Sequence, residues 1–159
     1  DTDADASTVA LPPLNASLAR ALLHRSGVTS RLRAHGDTPA ADDAALQWGG
    51  CPDFLPAGCA IAVLHGDPSQ PNVDIFLKLP AKSAIPLHTH TSAERMVLVA
   101  GELQVTYEGQ AVARLTPGSY AYGPAGRAHS GACVSDVPCV LFIAFESALD
   151  AVPFRTEGQ

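Results

Sequence analysis

From Val73 onward, apolar and polar residues change places at every second position, in short runs separated by turn signals. Val73–Leu79 sets the pattern. Ile75, Leu77 and Leu79 share one face, and Asp74, Phe76 and Lys78 share the other, the period of two that marks a strand. Similar runs recur at Leu87–His90, Arg95–Ala100, Leu103–Tyr107, Ala111–Leu115, Tyr120–Tyr122, Ala128–Cys133 and Val140–Glu146. Between them lie Gly101, Glu108-Gly109, Pro117-Gly118, Pro124-Ala125-Gly126 and Ser135–Pro138, residue types that punctuate strands. Upstream, Ala60–Leu64 reads as a buried strand, and strand material begins near Leu46-Gln47-Trp48. No segment of helical period interrupts this region, so the fold class is all-β, a sandwich or barrel. No internal repeat is visible, which predicts a single barrel.

The beginning of the chain has a different period. Leu14, Leu18, Ala21 and Leu22 fall at helical spacing, with Asn15 or Ser17 as cap and Gly27 as stop, which predicts a short N-terminal helix. Residues 1–13 are alanine-rich, acidic and end in Pro12-Pro13, an extended arm. The chain therefore divides into an arm and helix at 1–45, a barrel at 46–147 and a polar tail at 148–159.

Composition adjusts this picture in two ways. The net charge of −6 lacks the basic stripe that nucleic-acid binding needs, and no apolar run approaches the ~20 residues of a membrane span. Four cysteines fall into two close pairs, Cys51 with Cys59 and Cys133 with Cys139. Each pair can close a short loop with a disulfide, stabilising by about 2–3 kcal/mol on the loop-entropy model. An even count in close pairs, and a sequence opening at Asp1 without methionine, lead to the expectation of an exported protein, periplasmic or secreted. Four unconnected buried thiols are the alternative.

The chemistry gathers between Lys82 and His129. His88 and His90 lie two apart, so a strand points both to one face. Thr91-Ser92-Ala93 reads as a corner after which Glu94 opens the next strand, and His129 arrives from a distant one. Three imidazoles and a carboxylate suit one divalent ion of Fe, Mn, Ni, Cu, Co or Zn, with coordination positions left open. His24, His35 and His65 stand alone and read as packed or exposed side chains.

These spacings resemble the two motifs of the cupin superfamily. His88, His90, Glu94 and Gly101 match the first motif in full except for its leading glycine, whose place Lys82 holds. Gly118, Pro124, Gly126 and His129 match the second, with Cys133 in place of its closing asparagine. The resemblance covers about residues 46–147. It implies a double-stranded β-helix, a jelly-roll barrel, with a metal held by His88, His90, Glu94 and His129, and frequently a homodimer. Cys133 lies four residues beyond His129, so its thiolate is either a further ligand or one half of a disulfide with Cys139.

With such a centre, the expected function is that of a small-molecule metalloenzyme, of dioxygenase or of isomerase/lyase type. The other expectation is a non-catalytic ligand-binding, metal-binding or sensor module, because a fold does not name a function. Glu94 is the candidate base. Phe76 and Met96 are candidates for an apolar substrate wall, and Lys78, Tyr120, Tyr122 and Arg127 for its polar contacts.

Overall fold

The structure, a computed structural model, describes residues 39–154. The arm and the helix expected near the N-terminus lie outside the described residues. Among the described residues, eleven strands form two sheets. The first sheet contains β1 (Trp48–Gly50), β2 (Ala60–His65), β3 (Val73–Leu79), β5 (Glu94–Ala100), β8 (Tyr120–Gly123) and β10 (Cys139–Phe145), in the order β1-β2-β3-β10-β5-β8. The second contains β4 (Ala84–Thr89), β6 (Leu103–Tyr107), β7 (Ala113–Leu115), β9 (His129–Cys133) and β11 (Val152–Pro153), in the order β11-β4-β9-β6-β7. All the pairings are antiparallel. From β3 to β6 the chain changes sheet at every strand, and it does so again from β7 to β10, the winding of a double-stranded β-helix.

The core fills the space between the sheets. Ile75 and Leu79 of β3, Met96 and Leu98 of β5, and Leu141, Ile143 and Phe145 of β10 face Leu103, Val105 and Tyr107 of β6. Alternation explains these sets, since strand residues two apart share a face. A second cluster lies on the outer face of the first sheet. There Ala62, Phe76 and Val140 are covered by Ala41, Leu46, Trp48, Leu64 and Phe142. Phe76 packs edge-on to Phe142, and the Lys78 ammonium lies 4.0 Å from the centre of the Trp48 ring. On the outer face of β3, Phe76 is thus buried by this cluster, although Asp74 and Lys78 share that face.

Strand β4 departs from simple alternation. Its register against β9 shifts between Ile85 and His88, a bulge at Pro86-Leu87 where proline has no N–H to give. Ile85 and His88 are three apart, yet both reach the interior cavity; the bulge makes this possible. The strand expected at Leu87–His90 in fact starts at Ala84 and ends at Thr89.

Both cysteine pairs are bridged, Cys51 to Cys59 and Cys133 to Cys139. Cys133 is therefore no metal ligand. It occupies the far end of β9, about 13 Å of strand from His129. Gly101, the last glycine of the first motif, makes room for that bridge: a Cβ on it would come within 2.9 Å of Cys139 Sγ. Lys82, where the motif has glycine, sits at φ +55°, the left-handed region that explains glycine's usual presence there.

Candidate metal centre

Four elements deliver the site. His88 comes from β4 just after the bulge, and His90 from the turn that follows. Glu94 opens β5, and His129 opens β9. Strands β4 and β9 are neighbours with His88 opposite His129, so one sheet brings those two rings together, 4.2 Å between centroids. Glu94 reaches in from the other sheet.

The imidazoles are oriented by the main chain. His88 Nδ1 donates to Pro86 O at 2.8 Å, His129 Nδ1 donates to Arg127 O at 3.1 Å, and His90 Nδ1 donates to Asp150 O. In the neutral ring, an Nδ1 that carries the proton leaves Nε2 with a lone pair. The three rings together offer ligand atoms that all lie within 4.8 Å of one another. Carbonyl-held histidines of this kind are the usual outer support of metal ligands. Glu94 adjoins the same point, Oε1 at 3.2 Å from His129 Nε2 and Oε2 at 3.5 Å from His90 Nε2.

The donor set fits a transition-metal ion by its own unmet needs. His88 Nε2 lies 3.2 Å from His90 Nε2, so two lone pairs face each other unless a cation lies between them. Oε1 of Glu94 is buried without a hydrogen-bond partner. The Tyr107 hydroxyl, adjacent to Glu94, is equally unpartnered. A buried polar atom without a partner costs on the order of 1–3 kcal/mol. His88, His90, His129 and Glu94 would hold the ion.

Electrostatics keep the set ready for a ligand role. Burial, helped by the charge of His129, pulls the His88 pKa down to about 4, so this ring is neutral near pH 7. Burial pushes the Glu94 carboxyl up, but the close approach of His129 and the other neighbouring imidazoles outweighs it and holds Glu94 below its ordinary value. Burial and the Glu94 charge raise the pKa of the Tyr107 phenol, which stays protonated.

A cavity of about 420 Å³ opens onto these ligands between the two sheets. Its walls are apolar: Ile75, Leu77, Met96, Leu141 and Ile143 from the first sheet, Ile85, Leu103 and Val105 from the second. Cys51, Pro52 and Leu55 of the first disulfide loop line it, and Leu149, Asp150 and Ala151 lie along it near the C-terminus. Besides the ligands, Ser130 and Asp150 are its polar side chains.

The residues expected from sequence are thus only partly brought together. His88, His90, Glu94, His129 and Met96 line the cavity. Phe76 and Lys78 lie on the outer face of the first sheet. Tyr120 and Tyr122 are exposed on β8, and the Arg127 guanidinium donates to Glu108 O at 2.9 Å. Three contributors were not anticipated. The parity of β6, with Leu103, Val105 and Tyr107 all buried, is the signal that could have found Tyr107. The loop Cys51–Leu55 and Asp150 carry no comparable signal.

Among known proteins, residues 75–145 match the family model described as cupin domain. No curated protein matches the chain. Solved structures do. The DMSP lyase DddQ from Ruegeria pomeroyi DSS-3 is similar at 25% identity and TM-score 0.61 over 73% of this chain and 64% of that one. An RmlC-like cupin from Shewanella frigidimarina NCIMB 400 is similar at 17% identity and TM-score 0.54, over 66% and 86% of the two chains. Bacillus subtilis oxalate decarboxylase, described with Mn(II) centres, is similar at 17% identity and TM-score 0.52, over 61% and 28%. This chain spans less than two thirds of the lyase chain. Its barrel, with two motifs and a three-histidine group at their junction, is a cupin-superfamily domain.

Proposed function

We propose that this protein is a metal-dependent enzyme acting on a small molecule that has one polar, metal-seeking end and a largely apolar body. The observation that carries this reading is the cavity of about 420 Å³ that ends on His88, His90 and His129. A purely structural ion would be enclosed by its protein ligands. The donor set is His88, His90, His129 and Glu94, one divalent transition-metal ion per chain. Such an ion, when bound, supplies Lewis acidity or, if redox-active, a centre for oxygen chemistry.

The remaining work falls to the chain's own groups. Ile75, Leu77, Met96 and Ile143 exclude water from the substrate body, which strengthens polar contacts at the ligand end. The likeness to a DMSP lyase favours lyase-type proton abstraction over the oxygen-dependent alternative. Glu94 and Asp150 are the carboxylates on the cavity wall, and Glu94, once released from the donor set, is the candidate proton acceptor. The scarcity of polar wall residues also supports a second reading, a non-catalytic binding module that holds an apolar ligand. The two disulfides suit an oxidising compartment, consistent with export. A homodimer belongs to the same reading, with exposed Tyr120, Tyr122 and Val99 as its candidate face, and sedimentation measures it.

Elemental analysis of protein purified without added metal, followed by Co(II) substitution, tests the proposal. One ion per chain is expected, with a Co(II) spectrum that changes when small carboxylic acids bear on it and turnover in assays of elimination. A spectrum insensitive to every small molecule would overturn the enzyme reading. Spectral change without turnover would select the binding module.

A further inference from the structure

The segment after β10 runs back along the metal turn as a strap. Glu146 N donates to Ala93 O at 3.3 Å and Ser147 N to the buried Ser92 Oγ at 2.9 Å. Leu149 N donates to Pro68 O at 2.8 Å. Beyond it, Val152 and Pro153 pair with Thr89 and His88 as β11, and Phe154 N donates to Leu87 O at 3.0 Å. The strap thus lies beside the whole stretch that bears His88 and His90.

Asp150 sits at its middle and holds the His90-Thr91 turn at two points. Its main-chain oxygen accepts the His90 Nδ1 proton, and its carboxylate accepts the N–H of the next residue, Thr91, at 2.9 Å. His88 and His129 take their acceptors from residues two positions away, Pro86 and Arg127. Only His90 of the three depends on a residue 60 positions distant. Local strand geometry cannot orient that ring; the strap does. Asp150 also lines the cavity beside Leu149 and Ala151.

We propose that Asp150 is the positioning residue of the metal centre, clamping His90 with its Nε2 toward the ion, and that the strap is a wall of the site. The inference rests on the metal-centre reading above. The carboxylate acts by fixing strap to turn through the Thr91 N–H, which keeps the Asp150 carbonyl under the His90 ring. A ring freed of that acceptor rotates or exchanges tautomer, and its Nε2 lone pair is no longer aimed.

Two measurements on the full chain test it. Co(II) titration reads metal affinity, and NMR of metal-free protein with labelled histidine reads the His90 tautomer. Asp150→Ala is expected to weaken Co(II) binding by about tenfold, the low end for lost outer support, and to move the His90 signal from one tautomer to a mixture. His88 and His129 signals stay in place and report that the fold is intact. Asp150→Asn is expected to restore both readouts, because its amide oxygen accepts the same N–H. Wild-type affinity and an unchanged His90 signal in Asp150→Ala would overturn the clamp, as would an Asp150→Asn variant as weak as the alanine. Wild-type protein that takes up no Co(II) would instead overturn the metal-centre reading, and the metal-free NMR comparison would still decide the clamp.

Discussion

A methyl group on Gly123 would lie 2.7 Å from Glu94 Cγ and Oε1 and from the Tyr107 hydroxyl. Gly123 stands opposite Glu94 in the β5–β8 pairing, so the carboxylate lies over a place where no side chain fits. Gly123→Ala is therefore expected to push Glu94 off His129, costing about 1–3 kcal/mol of stability through overpacking and at least tenfold in metal affinity; calorimetric titration with Co(II) checks it. Unaltered affinity would show that Glu94 is not a ligand. His88 makes a second residue-scale prediction. Its folded pKa of about 4 lies below the ordinary 6.5, so the unfolded chain binds the proton more readily. Stability of the metal-free protein is then fully retained above pH 6.5 and is lost as pH falls from 6.5 toward 4. The loss is on the order of 3 kcal/mol. Glu94, whose pKa is lowered, adds its loss only below the ordinary carboxylate pKa. Thermal melts in chelator from pH 7.5 to 4.5 should show a slope that His88→Gln flattens. An equal slope in both proteins would remove His88 as the cause.

At the scale of elements, each disulfide has its own task. Cys133–Cys139 joins β9, which carries His129, to β10 in the opposite sheet. Cys51–Cys59 closes a loop whose Cys51, Pro52 and Leu55 line the cavity and whose Phe54 ring lies 5.9 Å from the His88 ring. Replacing either pair by alanine should cost about 2–3 kcal/mol. The functional effects should differ: loss of Cys51–Cys59 weakens small-molecule binding while Co(II) affinity holds, measured on the same sample. Equal ligand binding in that variant would mean that the loop is no part of the wall. How much of this was legible follows from what each element requires. Strands β3, β5, β6, β9 and β10 could be read because alternation leaves a trace in residue type. The placing of Phe76 in the pocket wall failed, since a cluster on the outer face of the first sheet buries it as well as an inward position would. Bulging at Pro86-Leu87 left only a proline as its sign. The clamp on His90 left none, because it joins residues 60 positions apart through one carbonyl and one carboxylate, and neither has a spacing that a sequence pattern shows. Lys82 shows the reverse case: a motif position can keep its backbone conformation after losing its glycine, with the amine held by Val134 O at 2.6 Å.

For the whole molecule, the position of the centre between two sheets makes metal and stability one question. His88 and His129 belong to one sheet and Glu94 to the other, so an ion held by all three ties the sheets together at the cavity's polar end. Binding to the folded chain alone stabilises by RT ln(1 + [L]/Kd), roughly 2.7 kcal/mol at a free ion concentration 100 times Kd. A domain of this size should then rise in Tm by several degrees, roughly 4–8 °C per kcal/mol at 60–100 residues and less for longer chains. Chelation should reverse the rise. His129→Ala should abolish it while leaving the barrel folded, because that change removes one of three imidazoles that lie within 4.8 Å of each other and leaves the core strands in place. Hydrogen exchange separates this from a loosely attached ion. Protection should increase on both β4–β9 and β5 when metal is added, since the tie crosses from sheet to sheet. Protection confined to β4 and β9 would mean that the three histidines hold the ion without Glu94. The carboxylate would then be free throughout as the proton-accepting group of the cavity.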